Sequence, residues 1–345
     1  MNPGNKIRFA LVGCGRVSSS HLKAMQELND RCELIAVCDI IQERAKAVGQ
    51  KTGATVYTDL DALLKRDDID IVSVATPSGL HPEHGRKVAE AGKHCIPEKP
   101  IGIRLNEVNE MIYTFEKSDK QLFAVMQNRY NTTMRLLKRA IDKGRFGKIF
   151  FAQTNIFWTR NQEYYDNTKW HGTLEFDGGT FFTQASHYVD SLYWLIGEVE
   201  SVQAVTGTLV RDIETEDTGA AILQFRNGAI GSINVTVLTY PKNFEGSITI
   251  IGERGTVKVG GIAINKIEKW EFDTFDEDDK LIEMSNYEPP NVYGFGHLAY
   301  YKKVLDTLGN HGTPDISSKD GRKGLEIILA IHESSKTGER VAIQS

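Results

Sequence analysis

The rhythm of apolar and polar positions changes once along the chain, near residue 126. Before that point, short continuous apolar runs alternate with stretches whose apolar residues recur every three or four positions. Ile7-Arg8-Phe9-Ala10-Leu11-Val12 is the first such run, and Val17, Ala24, Met25 and Leu28 follow it at helical spacing. Further strand signals at 34–38, 69–75, 94–97 and 122–126 alternate with helical stretches near 41–51, 59–66, 81–91 and 104–117. Apolar strands separated by helices predict a doubly wound parallel sheet covered on both faces, an α/β domain.

Beyond Met126 the pattern becomes that of an α+β domain. A helix over about 131–142, stopped by Gly144, precedes a long strand over 149–159, and a second helix over about 184–196 is stopped by Gly197. From Val199 to about Phe272 the chain reads as successive strands, with Asn227-Gly228 as one hairpin turn and Gly252-Glu253-Arg254-Gly255 as another. These predict a large, mainly antiparallel open sheet. The acidic stretch Asp273–Lys280 is expected to be a solvated loop, and helices near 297–308 and 320–335 end the chain. The resulting division is 1–126 and 127–345.

Composition narrows the class without changing this picture. A chain of 345 residues is long for a single core, and 40% hydrophobic with 25% charged residues is ordinary for a globular protein. No apolar run approaches a membrane span, and the polar stretch Met1–Lys6 leads directly into a strand with no signal-peptide pattern, so a cytoplasmic protein that engages no membrane is expected. The four cysteines, at 14, 32, 38 and 95, form no Cys-x-x-Cys pair and fall in or beside predicted strands, so reduced buried thiols are expected, with no disulfide framework and no metal site. A net charge of -5 argues against a nucleic-acid surface, and any small anionic ligand must meet a local cluster of cations. An antiparallel sheet with an apolar outer face would pair with a second copy, giving a dimer or tetramer.

The first strand ends in Gly13-Cys14-Gly15-Arg16-Val17-Ser18, which opens the first helix. Gly13 permits the tight turn, Gly15 lets a pyrophosphate approach the backbone, and the helix N-terminus supplies aligned N–H donors, as in a Rossmann dinucleotide site. Serine replaces the usual third glycine or alanine and is small enough for the helix to pack on the strand. Asp39 ends the second strand about twenty residues later, where a carboxylate accepts hydrogen bonds from ribose hydroxyls and repels a 2′-phosphate, so NAD is favoured over NADP. Thr76-Pro77 ends another strand at the same edge and His81-Pro82 opens the next helix, a turn and helix start that can also wall the nicotinamide half. Glu98-Lys99-Pro100 closes a further strand there. Proline keeps Lys99 out of the helical region and permits a cis peptide, so its ammonium projects from a rigid strand end.

Together with Ser186-His187-Tyr188-Val189-Asp190 on a later helix, these motifs resemble the family of glucose-fructose oxidoreductase, inositol dehydrogenase and their relatives, over nearly the whole chain. The resemblance implies Lys99 and His187 as catalytic residues. It also implies cofactor contacts at Gly13, Gly15, Arg16, Val17, Asp39, Ile40, Thr76, Pro77, His81, Glu98, Lys99, Asn128 and Trp170. The family often carries an aspartate one helical turn before the histidine; here that position is Thr183, and Gln184 or Asp190 is left to orient the ring.

Phe157-Trp158-Thr159-Arg160, Tyr164-Tyr165-Asp166, Gly178-Gly179-Thr180, the segment Thr239–Ser247 and Val292-Tyr293-Gly294-Phe295-Gly296-His297 look like one subgroup, the UDP-N-acetylglucosaminuronate 3-dehydrogenases of surface-polysaccharide synthesis. Trp170-His171-Gly172 departs from the subgroup's Trp-Arg pair. A UDP-sugar acid carries a pyrophosphate and a carboxylate, which need several converging donors. Arg129, Arg160 and Lys242 are candidates, whereas Lys169 reads as a surface charge; Tyr164, Tyr165, Gln184, Tyr240 and Asn243 would add hydroxyl, ring and amide contacts, with Lys99 and His187 at the reacting hydroxyl. The implied reaction passes the C3 hydride of the sugar to NAD while a base removes the hydroxyl proton. His187, with an ordinary pKa of about 6.5, suits the base and Lys99 the alkoxide's partner, although the roles can be exchanged. Oxidation of a free polyol or aldose, and a catalytically silent dinucleotide-binding regulator, are the competing readings.

Overall fold

The computed structural model describes residues 6–289, 294–310 and 312–344, so Met1–Asn5 and Val292-Tyr293 of the subgroup motif lie outside the described residues. The chain divides into two compact units: residues 1–126 with 297–322, and residues 127–296 with 323–345.

The first unit contains β1 (Ile7–Val12), α1 (Ser18–Glu27), β2 (Cys32–Cys38), α2 (Gln42–Thr52), β3 (Thr55–Tyr57), α3 (Leu60–Leu64), β4 (Ile71–Val74), α4 (His81–Glu90), β5 (His94–Pro97) and α5 (Leu105–Glu116). Its strands form one parallel sheet in the order β3-β2-β1-β4-β5, so the chain reverses direction across the sheet between β1 and β4. Phe9, Leu11, Val37, Ile71, Val74 and Ile96 are fully or almost fully buried, which is why these strands read as continuous apolar runs. The four cysteines are free and buried, and burial pushes the Cys14 thiol up to about 12, with the Asp39 carboxylate adding to the effect.

The strand expected at 122–126 does not form. Leu122 makes a single parallel bridge to Cys95 and Phe123 an antiparallel one to Ser317, so this apolar run is a buried connector whose apolarity reflects burial alone. The C-terminal boundary of the expected division also changes, because residues 297–322 belong to the first unit. Tyr300 Oη donates to the Phe123 carbonyl at 3.1 Å, and the Tyr301 ring lies 5.7 Å from that of Phe9, contacts that periodicity cannot reveal.

The second unit contains α6 (Thr132–Asp142), β6 (Ile149–Phe157), α7 (Gln162–Asp166), a π-helical turn (Phe181–Ala185), α8 (Ser186–Ile196), β7 (Val199–Gly207), β8 (Thr218–Phe225), β9 (Ile230–Thr236), β10 (Glu245–Gly252), β11 (Gly255–Gly260), β12 (Lys266–Phe272) and α9 (Ile282–Ser285). Helices α10 (Gly296–Gly309) and α11 (Ser318–Thr337) and the short β13 (Val341–Ala342) complete the chain. An eight-stranded sheet runs β12-β11-β10-β6-β9-β8-β7-β13, antiparallel except where β6 meets β9. One face packs on α8, with Ala152, Ile156, Ile233 and Val235 turned inward. On the opposite face Phe151 pairs with Ile230 and Ile251 on its two neighbours, and Val205, Ile222 and Ile230 are exposed.

The acidic stretch at 273–280 is not a loose solvated loop. Asp276 and Asp279 form a capping box at the start of a 3-10 turn (Glu277–Leu281), and Arg145 and Lys143 pair with Asp279 and Asp276. Cations arriving from α6 and its following turn convert the charge run into an ordered element.

Candidate functional site

At the carboxyl ends of the first unit's strands, Gly13 has φ +93°, and a Cβ there would lie 2.3 Å from the Ala75 carbonyl oxygen. Only glycine permits this turn beneath β4. A Cβ on Gly15 would meet nothing within 4 Å, so open space stands over the start of α1, as a dinucleotide pyrophosphate requires. Arg16 and Val17 continue the turn into α1. Asp39 accepts the Cys14 N–H with Oδ2 and the Ile41 N–H with Oδ1, both at 2.8 Å, so its carboxylate ties the glycine loop to the start of α2. Ile40 beside it is 90% exposed at the strand end. These residues fit a dinucleotide.

Thr76 Oγ1 lies 3.1 Å from His84 Nδ1. His81, expected to wall the cofactor, is buried instead, with Nδ1 2.7 Å from the Pro100 carbonyl oxygen and Nε2 2.8 Å from that of Thr76. Pro77 follows Thr76 and precedes the 3-10 turn Ser78–Leu80. Glu98 also turns inward: Oε2 accepts the Lys99 N–H at 3.0 Å, and Oε1 lies 3.0 Å from His21 Nε2. Burial alone would raise this carboxyl, but the neighbouring imidazoles of His21 and His297 outweigh it and hold Glu98 well below the usual carboxylate range. Lys99 is half-buried, and the Lys99–Pro100 peptide is cis.

In the second unit, several expected substrate residues form one cluster. Arg160 donates through Nη2 to Gln184 Oε1 at 2.7 Å and through Nη1 to Asn243 Oδ1 at 3.3 Å, while Asn243 Oδ1 also accepts the Thr159 N–H at 2.8 Å. The guanidinium lies 5.3 Å from the Trp158 ring centre and 5.5 Å from that of Tyr164. Gln184 sits on the π-helical turn, immediately before α8 and its buried His187. Such turns recur at functional sites because the extra residue re-aims side chains.

The turn is anchored by residues with no signal in the sequence reading. Glu216 Oε1 accepts the Phe181 N–H at 2.9 Å, its carbonyl accepts Thr180 Oγ1 at 2.7 Å, and a Cβ on Gly179 would lie 2.2 Å from Glu216 Oε2. Thr183 Oγ1 donates to the Gly179 carbonyl at 3.0 Å.

Arg129 and Asp190 change role. Asp190 accepts Arg129 Nε at 2.9 Å and Nη2 at 2.6 Å, both side chains are buried, and the guanidinium lies 5.5 Å from the Trp194 ring centre. The pair fastens α8 to the turn that carries Asn128. Tyr165 is buried, and Tyr164 stacks on His171, 4.3 Å between ring centres, while the Trp170 ring centre lies 4.0 Å from that of His171. Tyr240 and Lys242 are exposed on the loop before β10, as is Lys169 after α7.

A cavity of about 300 Å³ lined by Asp67, Asp70, Lys93, His94 and Lys120 lies at the amino ends of β4 and β5, opposite the edge just described. Among the residues missed, His21 carried a signal: it interrupts the apolar helical stripe Val17, Ala24, Leu28 with an imidazole that is completely buried.

Comparison with known proteins agrees with this geometry. Residues 7–126 match the NAD-binding Rossmann fold of the GFO/IDH/MocA oxidoreductase family, and residues 138–343 match that family's C-terminal alpha/beta domain. The WlbA dehydrogenase from Bordetella pertussis, crystallised with NADH and UDP-GlcNAcA, is 48% identical, with a TM-score of 0.96 and 99% of each chain covered. WlbA from Chromobacterium violaceum, with the same two ligands, is 49% identical with a TM-score of 0.95, over 100% of this chain and 97% of that one. The myo-inositol 2-dehydrogenase of Thermotoga maritima is 25% identical over 98% of this chain and 99% of its own. The chain belongs to the GFO/IDH/MocA oxidoreductase family and is an NAD-dependent enzyme.

Proposed function

We propose that the enzyme oxidises the C3 hydroxyl of UDP-N-acetylglucosaminuronate to the ketone, passing hydride to NAD. The observation that carries this reading is near-half identity, end to end, with two dehydrogenases crystallised with NADH and UDP-GlcNAcA. The Arg160–Gln184–Asn243 cluster supports it, because it sets a guanidinium and two amides beside the helix that bears His187, a donor set suited to an anionic sugar. NAD supplies the hydride acceptor. His187 takes the hydroxyl proton, and the Lys99 ammonium stabilises the developing alkoxide.

In this reading Arg160, Gln184, Asn243, Tyr164, Tyr165, Tyr240 and Lys242 serve the substrate, while Arg129 holds α8 in place. The product is a precursor of surface polysaccharide made in the cytoplasm, and none of the helices among the described residues is long and apolar enough to cross a membrane. A second copy of the chain covers the exposed outer face of the eight-stranded sheet.

The test is incubation with NAD and a panel of UDP-sugars, following NADH absorbance and product mass. Loss of two hydrogens from UDP-N-acetylglucosaminuronate alone is the expected result. Turnover of free inositol or an aldose, with the UDP-sugars untouched, would overturn the reading.

A further inference from the structure

The backbone ladder of the parallel sheet ends at Glu98, whose N–H donates to the Val74 carbonyl at 2.8 Å. Lys99 comes next, and Pro100 has no N–H to offer. What holds this turn is a pair of buried imidazoles, one on each side of Lys99.

On the amino side, Glu98 is ionised and therefore accepts only. His21 Nε2 therefore donates to Glu98 at 3.0 Å, and its Nδ1 lies 2.6 Å from Tyr301 Oη. Tyr301 Oη in turn shares a hydrogen bond with Ser73 Oγ at 2.9 Å. Side chains from α1, β4 and α10 thus converge on one carboxylate, whose other oxygen takes the Lys99 N–H. His297 Nε2 stands 3.7 Å from the same Glu98 oxygen, beyond a good hydrogen bond, and burial shifts its pKa down. On the carboxyl side, His81 bonds to the Pro100 carbonyl and spans to that of Thr76, so it joins the ends of β4 and β5.

We propose that His21 and His81 are positioning residues that clamp Lys99 from both sides, His21 through the Glu98 carboxylate and His81 through the Pro100 carbonyl. The clamp rests on the reading of Lys99 as catalytic. A lysine has a long flexible stem, so its ammonium is placed only as well as its backbone is, and a displacement of about 1 Å at a reacting centre can cost about 100-fold in rate.

The test compares His21→Leu, His81→Leu, His21→Gln, Tyr301→Phe and Lys99→Ala as full-length enzymes with NAD and UDP-N-acetylglucosaminuronate. The two leucine variants are expected to lose about 10- to 100-fold in kcat, with KM and the NADH dissociation constant changed less than about threefold. His21→Gln, which can still donate to Glu98, should recover most of the loss, and Tyr301→Phe should show a smaller fall. Should a leucine variant fail to fold, the glutamine and phenylalanine variants carry the comparison. Folded leucine variants within about twofold of the parent, beside an inactive Lys99→Ala, would overturn the clamp alone. A near-normal Lys99→Ala would overturn the catalytic reading instead. Crystal structures of the leucine variants with NADH decide the clamp even if the substrate is another: an unmoved Lys99 in both would overturn it. So would a stoichiometric metal ion lost on His297→Ala, since His21, Glu98 and His297 would then be ligands.

Discussion

At the residue scale, what matters is which charges are already matched inside the fold. Arg129 and Asp190 form a buried bidentate pair, so removing one partner strands the other in a low-dielectric setting. Asp190→Ala is expected to lower unfolding free energy by about 3–5 kcal/mol, measured by urea denaturation. Arg160 differs in that its planar fork donates to the amide oxygens of Gln184 and Asn243 and to the Thr159 carbonyl. Arg160→Lys should lower kcat/KM for the UDP-sugar at least tenfold, since one ammonium cannot reproduce a planar fork that meets both amides and an anion. Steady-state kinetics check this, and a variant within about twofold of the parent would remove Arg160 from the substrate site.

At the element scale, two features tie local geometry to function. The π-helical turn before α8 is preceded by Gly179, where φ is +119° and the space for a side chain is filled by Glu216. Gly179→Ala should cost about 1–3 kcal/mol and reduce turnover, because the turn carries Gln184 towards Arg160. Thermal unfolding and kinetics on one preparation measure both. The second feature lies at the amino end of β5, where His94 Nδ1 accepts the Gln121 N–H at 2.9 Å. Burial first, then Lys120, lowers its pKa from 6.5 to about 4. The unfolded chain therefore binds the proton first as pH falls, so this group's contribution to stability is intact above about 6.5 and is lost progressively down to about 4. His94→Asn keeps an acceptor in the same place and does not titrate. Melting temperatures between those pH values should fall less steeply for this variant than for the parent.

At the scale of the whole molecule, the outer face of the eight-stranded sheet leaves Val205, Ile222 and Ile230 exposed, with Phe151 between Ile230 and Ile251. In the proposed dimer or tetramer a second copy covers these apolar side chains. Ile222→Lys should shift the protein towards monomer in sedimentation velocity while leaving its far-UV spectrum unchanged, and an unchanged sedimentation coefficient would place the contact elsewhere.

The sequence alone determined what depends on local chemistry and period. Continuous apolar strands spaced by helices specify a parallel sheet buried on both faces, and the glycine turn with Asp39 twenty-odd residues on specifies a dinucleotide, because both follow from backbone sterics and charge within a short stretch. The position of Lys99 just past the end of β5 was legible for the same reason, since its motif is a local one. Tertiary structure decided which side chains meet. His21 and Tyr301 are far apart in sequence, as are Arg160 and Asn243, and Glu216 reaches Gly179 from another element. Neither propensity nor spacing encodes such meetings. They arise when packing brings distant elements together and burial forces each polar group to find a partner. That is why Glu98 and His81, which in sequence look like cofactor contacts, prove to grip the backbone on either side of Lys99.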